Sequence, residues 1–451
     1  MNMHINISPE FSRNLWIELG SHRLLATPLV LASIFFLVYL VTNNSPNSYY
    51  QSFYYTGVVL YFAFTMVVGT KSASESISNE LKEGTWDSQR MTSISPWAMT
   101  WGKLFGSTIF SWYGGLIALC FGLLGAIELP NISSIDIALL LVAGILSHSV
   151  AMLFNLSLIA RSRSIIESRS SYVFYLLLIF SAIALLKVFG SSETIIWYGE
   201  TYSIHYFFVV SVVVFSVWSI LGVYRLIREE LQIRNSSIVW LSFVSFVSIY
   251  CAGFINIGNI QFEFDLFFAR FMCAVAIFMI SGYFILFIQK KDPILLSRLS
   301  VLKNQRKWYE LLRTLPAWFT TFGISSLLFI ALFFLTGSSD SPITYLFDNK
   351  LLLVSILLLI YRDILIVIYF SMEPTAKKVE LTAILLLLVL YLLLPTIMKA
   401  LGIDFLAALF FPYANQYTTI TFIGSLTQLL LMIYLIYRRN MVITENWGSQ
   451  T

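Results

Sequence analysis

A few ionisable side chains stand inside long apolar stretches of the sequence. Arg362 and Asp363 lie near the middle of one stretch, and His148 lies at a comparable depth of another. Because a charged group in hydrocarbon is costly, such residues are functional candidates by default. Two interpretations stay open. The residues form a polar constriction that senses or excludes a substrate, or they form interhelical contacts that fix packing, with Arg362 satisfied by carboxylate or carbonyl oxygens.

Three further basic residues lie near the ends of apolar stretches: Lys187, Arg270 and Lys399. Long basic side chains at such positions can reach the membrane surface while their stems stay in hydrocarbon. The alternative is a ring of basic groups that draws an anionic headgroup or a peptide carboxylate outward.

The sequence carries no recognisable catalytic or nucleotide-binding motif. Gly102-Lys103 has no phosphate-binding glycine loop before it, and Leu104 follows where a P-loop requires Ser or Thr. The cysteines are dispersed in apolar runs without the spacing of a metal site or a disulfide framework, at Cys120, Cys251 and Cys273. We therefore expect a chain that is not an enzyme and that holds no cofactor or metal of its own.

The composition indicates the elements that position these residues. Of the 451 residues 58% are hydrophobic and only 12% are charged, with a mean hydropathy of +0.80. This balance excludes a disordered chain, and it is far more apolar than the composition of water-soluble enzymes. Stretches of about 20 apolar residues predict an all-α polytopic membrane protein. The twelve predicted spans are 24–42, 52–70, 104–128, 136–160, 172–190, 205–223, 237–257, 264–288, 317–336, 350–371, 381–401 and 418–438.

The ends of the chain and its orientation follow from charge. Residues 9–25 mix apolar and charged side chains at helical spacing, which predicts an amphipathic helix in the membrane interface. No signal-peptide pattern precedes it, so the first span is expected to be retained. Most of the 28 Lys and Arg residues fall in alternate loops, which predicts that both termini are cytoplasmic. The expected location is the cell membrane, the cytoplasmic membrane if the source is bacterial.

The spans divide into two halves of six, 1–228 and 229–451. In each half a long loop joins the second and third spans, 71–103 and 289–316, and a proline (Pro96 or Pro316) opens the next helix. This parallel favours two repeats related by a pseudo-twofold axis, as in many transporters.

The first long loop is the most informative segment. Ser74 to Lys82 can form a short amphipathic helix, and Gly84 is placed to terminate it. A loop of this length with its own helix is either a docking element or a solvated cytoplasmic hairpin.

The loop resembles that of the ABC-2 type transporter permease family. The family pattern is a Glu, three residues, Gly-Thr, then a Pro and a Gly-Lys at the start of the third span. The matching residues here are Glu80, Gly84, Thr85, Pro96, Gly102 and Lys103. The second loop lacks this pattern and is instead a basic amphipathic stretch, Leu296 to Arg313.

The resemblance implies the membrane permease of an ATP-driven exporter. Separate cytoplasmic ABC ATPase subunits, two copies, would bind ATP and Mg; the other partner would be membrane lipid, with no nucleic acid. Glu80 would be the polar anchor of a coupling helix, Gly84-Thr85 its sharp end, and Lys103 an interfacial, snorkelling side chain. The residues expected to contact the ATPase are Glu80, Lys82, Gly84, Thr85, Arg306 and Lys307.

Two other function classes stay open. An ion-coupled secondary transporter also uses twelve spans, but it needs membrane-embedded carboxylates, of which Asp363 is the one well inside a span. A multi-span enzyme of lipid-linked substrates would need clustered Asp, Glu or His at one membrane face, and no predicted outer loop has such a cluster.

Overall fold

A computed structural model describes most of the chain. The described residues are 8–42, 46–127, 133–161, 194–233, 235–256, 263–289, 293–335, 350–372, 379–412 and 417–448. The predicted fifth span, 172–190, and with it Lys187, lies outside these residues.

The described chain is almost entirely helical. Its helices and strands are α1 (Pro9–Glu18), α2 (Ser21–Thr42), α3 (Pro46–Tyr61), α4 (Thr70–Lys82), α5 (Trp86–Arg90), α6 (Pro96–Gly106), α7 (Ile109–Ala126), α8 (Ser134–Arg161), β1 (Thr194–Trp197), β2 (Glu200–Ser203), α9 (Ile204–Glu230), α10 (Ile238–Ala252), α11 (Glu263–Ile288), α12 (Pro293–Asn304), α13 (Trp308–Thr314), α14 (Ala317–Leu335), α15 (Lys350–Ser371), α16 (Val379–Leu388), α17 (Leu394–Ala400), α18 (Asp404–Ala407) and α19 (Thr418–Gly448). Within the described ranges, two π-helical segments, Phe62–Gly69 and Val389–Leu393, join α3 to α4 and α16 to α17.

Within the described residues, ten helices are long and apolar enough to cross a membrane. The all-α polytopic membrane class is thereby confirmed. The predicted seventh span corresponds to a shorter apolar helix of 15 residues, α10.

The second membrane helix is much longer than predicted. It runs without a break from Tyr49 to Lys82, a total of 34 residues. At about 1.5 Å per residue it is about 50 Å long, against about 30 Å for the hydrocarbon of a bilayer. The predicted separate helix from Ser74 to Lys82 is therefore the polar extension of this membrane helix, α4, because nothing between Gly69 and Ser74 interrupts the helical backbone.

Contacts group the described chain into two compact units, which are 1–196 with 200–235, and 197–199 with 236–451. In the first unit α3 packs on α7, α8 on α9, and α4 on α8. The helices α3 and α7 approach closely because both carry glycine at the crossing: a Cβ on Gly57 would lie 2.5 Å from the Cα of Gly122.

The second unit is built from comparable pairs. Here α11 packs on α14, α15 on α19, and α10 on α11. Its buried core contains Trp318, Phe322, Ile360, Ile364 and Val367. Each unit therefore repeats two pairings of its predicted half: the second span packs on the third, and the fourth span packs on the last. The predicted boundary at 228 and the predicted pseudo-twofold axis stay predictions.

Candidate functional site

The polar extension α4 ends in a defined turn. Gly84 has a φ of +72°, the left-handed conformation that favours glycine. The Thr85 N–H donates to the Glu80 carbonyl at 3.0 Å and the Gly84 N–H donates to the Leu81 carbonyl at 3.3 Å. This hydrogen-bond pair is the Schellman motif, so Gly84 terminates the helix as the sequence predicts.

The end of α4 presents an exposed surface. Lys82, Gly84 and Thr85 are all exposed, and apart from the adjacent chain no atom of the described residues lies within 4 Å of a Cβ built on Gly84. The next residue, Trp86, is fully buried at the start of α5. A rigid helix end followed by a buried anchor holds this polar tip in one geometry, which is what a docking element needs.

Beneath this surface lies a buried network of charges around Lys103. The Lys103 side chain is 1% exposed. Its Nζ lies 3.1 Å from Glu10 Oε1 and 2.9 Å from Gln89 Oε1, and it is also paired with Glu80. Lys103 also lies over the Trp86 ring, 5.1 Å from the ring centroid. All three ammonium donors are thus satisfied inside the protein.

The network joins four segments of the first unit. Glu10 comes from α1, Glu80 from α4, Gln89 from α5 and Lys103 from α6. Arg13, one turn after Glu10, donates to it at 3.0 Å and is also paired with Glu80. The N-terminal helix is therefore fastened to the end of α4 by charge as well as by its packing on α6.

The local charges act on the titration of Glu80. Burial alone would raise the pKa of Glu80, but the neighbouring Lys103 ammonium and hydrogen bonds to the carboxylate outweigh it and hold that pKa below its ordinary value. The carboxylate is consequently ionised at neutral pH, and its charge pairs with Lys103 and Arg13 inside the unit.

Two predicted roles are corrected by this geometry. Lys103 is not an interfacial, snorkelling side chain, because its ammonium is enclosed by two carboxylates and an amide. Glu80 does not present a free carboxylate to a partner; its side chain is 12% exposed and faces Lys103 and Arg13. Sequence reasoning missed Glu10, Arg13 and Gln89, because they lie up to 93 positions from Lys103 and no local spacing links them.

The second long loop ends its first helix with the same hydrogen-bond pattern. Arg306 has a φ of +56°, its N–H donates to the Lys303 carbonyl at 3.1 Å, and the Lys307 N–H donates to the Leu302 carbonyl at 3.1 Å. The basic amphipathic stretch from Leu296 to Arg313 therefore consists of two helices, α12 and α13, because Arg306 leaves the helical conformation.

The two loops are alike in backbone and unlike in chemistry. Each left-handed residue is followed by one residue and then by a tryptophan that starts a short helix, Trp86 in one loop and Trp308 in the other. Trp86 is fully buried, whereas Trp308 is 58% exposed. The position of Glu80 is taken by Leu302, which is buried. The same termination also ends α9 at Gln232 and α17 at Gly402, so the tryptophan, and not the turn alone, marks the resemblance of the loops.

The intramembrane histidine is satisfied within the first unit. His148 is 1% exposed, and its Nε2 lies 2.7 Å from the Thr65 carbonyl, in the π-helical segment. A Cβ on Gly69 would lie 2.3 Å from that nitrogen, so the glycine makes room for the ring. Trp112 packs edge-on against it, at 5.3 Å between centroids. These contacts favour packing over a constriction.

The intramembrane arginine and aspartate are satisfied within the second unit. Arg362 and Asp363 are each 1% exposed, with Arg362 Nε 2.9 Å from Asp363 Oδ1. Arg362 is also paired with Gln428. The Tyr283 and Tyr391 hydroxyls donate to Asp363 Oδ2 at 2.7 and 2.9 Å. Tyr391 lies in the second π-helical segment, and segments of this kind are frequent at functional sites.

The remaining predicted residues are spread over the chain. Lys399 is exposed at the end of α17, and Arg306 and Lys307 are exposed between α12 and α13. In the part of the chain that the structure describes, no group of three or more His, Cys, Asp or Glu residues is arranged to hold a metal ion.

Comparisons with protein-family models, with curated proteins and with solved structures give no match to this chain.

Proposed function

We propose that this chain is the membrane permease of an ATP-driven ABC exporter. It would have twelve spans in two six-helix halves, with both termini in the cytoplasm, and would be coupled through its two long loops to a pair of separate ATPase subunits. The observation that carries this proposal is the exposed end of α4, which joins a membrane helix directly to a polar tip.

The continuity of the helix gives a mechanism for coupling. A push on the tip at Gly84 would travel along one uninterrupted helix from Lys82 back to Tyr49. Because the network of Lys103 fastens α1, α5 and α6 to the same helix, these segments would move with it as one body. ATP would supply the work by binding the closed ATPase pair better than the open pair.

The paired charges inside the spans fit a passive membrane subunit. A proton- or ion-coupled transporter needs a carboxylate that can gain and lose its ion during transport. Asp363 accepts hydrogen bonds from two tyrosines and pairs with Arg362, so its oxygens are already occupied. This arrangement supports the exporter proposal over the ion-coupled alternative.

Co-purification with an ATPase tests the proposal. The full chain, tagged and extracted gently from its own cells, should bring two ATPase subunits per permease chain. Gly84→Val should release them or uncouple ATP hydrolysis, because valine adopts a positive φ poorly and would disrupt the turn at the tip. Gly323→Ala is the matched control, since nothing lies within 4 Å of a Cβ at that position. Recovery of no ATPase, together with uptake driven by a proton gradient alone, would overturn the proposal.

Cysteine accessibility tests the topology independently. Single cysteines placed at exposed Lys82 and Lys307 should react with a membrane-impermeant maleimide only in inside-out vesicles. Reaction of either position from the outside of intact cells would show that the two loops do not share the cytoplasmic side.

A further inference from the structure

A cavity in the second unit contains an arginine whose Nε has no hydrogen-bond partner among the described residues. The cavity has a volume of about 530 Å³ and lies between α10, α11 and the turn at Tyr198. Most of its lining is apolar, with Ile249, Leu266, Phe267 and Phe271 among the contributing residues. Among the described residues that line it, Arg270 is the one with a cationic side chain.

The guanidinium of Arg270 is only partly satisfied. It stacks over the Tyr198 ring, 4.8 Å from the ring centroid. Its Nε is buried and, among the described residues, has no hydrogen-bond acceptor. By contrast, Arg362 in the same unit is bound to a carboxylate and an amide. A cavity that combines apolar walls with a cation whose buried Nε has no acceptor among the described residues is shaped for an anionic amphiphile.

The wall that carries Tyr198 is held in a strained conformation. Tyr198 has a φ of +53°, which a bulky side chain rarely adopts, and Gly199 follows at +89°. Together they form the two-residue turn of the β1–β2 hairpin. Such strain persists only where the surroundings fix it, and it is concentrated at ligand sites.

Three hydrogen bonds hold this turn on the C-terminal end of α10. The Tyr198 N–H donates to the Gly253 carbonyl at 2.8 Å, and the Tyr198 hydroxyl donates to the Ile249 carbonyl at 2.8 Å. The Trp197 indole donates to the Tyr250 carbonyl at 3.0 Å. The turn thus uses carbonyls that a helix end leaves free, and it places the tyrosine ring against Arg270.

We propose that this cavity binds an anionic amphiphile. Its phosphate or carboxylate would accept hydrogen bonds from Arg270, and its apolar chain would lie along Phe267, Phe271 and Leu266. Tyr198 would keep the guanidinium aimed into the cavity by stacking. The proposal does not depend on coupling to an ATPase, and nothing in it requires the chain to transport its ligand.

Photo-labelling in nanodiscs tests the site and separates the two sources of such a ligand. Diazirine-bearing phosphatidylglycerol, phosphatidylcholine and palmitic acid are each titrated into nanodiscs that hold the full chain, and labelled peptides are mapped by mass spectrometry. Labelling should concentrate on peptides that contain 248–252 and 266–274 with at least one of the two anionic probes. Phosphatidylglycerol alone would identify a membrane lipid, and palmitic acid alone a free amphiphile. Equal labelling by phosphatidylcholine, or labelling by neither anion, would overturn the proposal.

Variants separate recognition of the anion from the shape of the cavity. Arg270→Gln should raise the fraction of probe among the nanodisc lipids that gives half-maximal labelling by about tenfold, because the variant loses a hydrogen bond to a charged group. Ala274→Phe keeps the charge but fills the cavity, and it should also reduce labelling. The matched control is Lys350→Gln, since Lys350 also stacks on an aromatic ring, that of Phe333, at 5.4 Å, but does not line this cavity. Labelling unchanged in both Arg270→Gln and Ala274→Phe would refute the assignment.

Discussion

Replacing Lys103 by methionine distinguishes a buried network from a side chain at the membrane surface. Methionine keeps most of the length of the side chain and removes its charge. In a snorkelling position the change would cost about 0–1 kcal/mol, as exposed ion pairs do. In the structure it removes the ammonium that Glu10, Glu80 and Gln89 share.

The magnitude follows from what the substitution leaves behind. Removing one partner of a buried ion pair costs about 3–5 kcal/mol, because the other partner stays buried and uncompensated. Here Arg13 still pairs with Glu10 and Glu80, and the Glu80 side chain is 12% exposed, so part of that cost is relieved. We therefore expect Lys103→Met to destabilise the first unit by about 2–4 kcal/mol, less than a complete loss of compensation would.

Thermal unfolding in detergent measures the change in stability. All variants are heated at the same scan rate, because large membrane proteins often unfold irreversibly and their Tm then depends on that rate. At about 2–4 °C per kcal/mol, Tm should fall by about 5–15 °C. Lys82→Met is the matched control, since Lys82 is exposed in the same region and should shift Tm little. Adding Glu80→Gln to Lys103→Met should recover part of the loss, because it removes one uncompensated carboxylate. If Lys103→Met behaves like Lys82→Met, the ion network does not exist as described.

Three further outcomes follow from particular contacts. The fold lowers the pKa of Glu80 below its ordinary value. The carboxylate therefore stabilises the fold fully at a pH above that ordinary value, and this stabilisation is lost as the pH falls through the lowered pKa. Glu80→Gln should make Tm depend less on pH in thermal unfolding between pH 7 and pH 3. Asp363→Asn should destabilise the second unit by about 3–5 kcal/mol in the same assay, since the buried Arg362 keeps its amide partner Gln428 but loses the charge of its carboxylate partner; a Tm equal to that of the wild type would contradict the pairing. Gly69→Ala should cost about 1–3 kcal/mol because its Cβ meets His148, whereas Gly323→Ala should be neutral or slightly stabilising.

The membrane class and most of the helices could be predicted from the sequence because hydrocarbon imposes a strict rule. Each span must satisfy its backbone internally, so apolar length alone identifies it. The same rule does not mark where a helix ends outside the membrane. Apolar length ends the second span at 70, but its helix continues to Lys82, because the polar residues after Gly69 are as compatible with a helix as with a loop.

The site was harder to predict than the helices. Gly84 predicts the end of a helix because glycine readily adopts the left-handed conformation of a helix terminus, and the structure confirms this end. The pairing of Glu80 with Lys103 cannot be predicted from the sequence, because a charged residue near a membrane surface is usually solvated and only the fold shows that Glu10 lies beside them. Long-range charge pairing leaves no spacing in the sequence to detect.

Arg306 offers a prediction of opposite sign to that for Gly84. Both residues terminate a helix in the left-handed conformation, at φ +56° and +72°, but arginine pays a steric cost there that glycine does not. Arg306→Gly should therefore stabilise the second unit, by up to about 1 kcal/mol. The gain is no larger because glycine also has more conformational freedom in the unfolded chain, which opposes folding. Arg306 is exposed, so its side chain is free to contact a partner from this strained position, and under the proposed function it would contact an acidic surface of the ATPase. The same variant should then weaken ATPase binding while its Tm is unchanged or higher, whereas Arg298→Gly, at an exposed position inside α12, should only destabilise. A lower Tm for Arg306→Gly would show that the end of α12 depends on arginine for its fold, and it would contradict the steric cost assigned to Arg306.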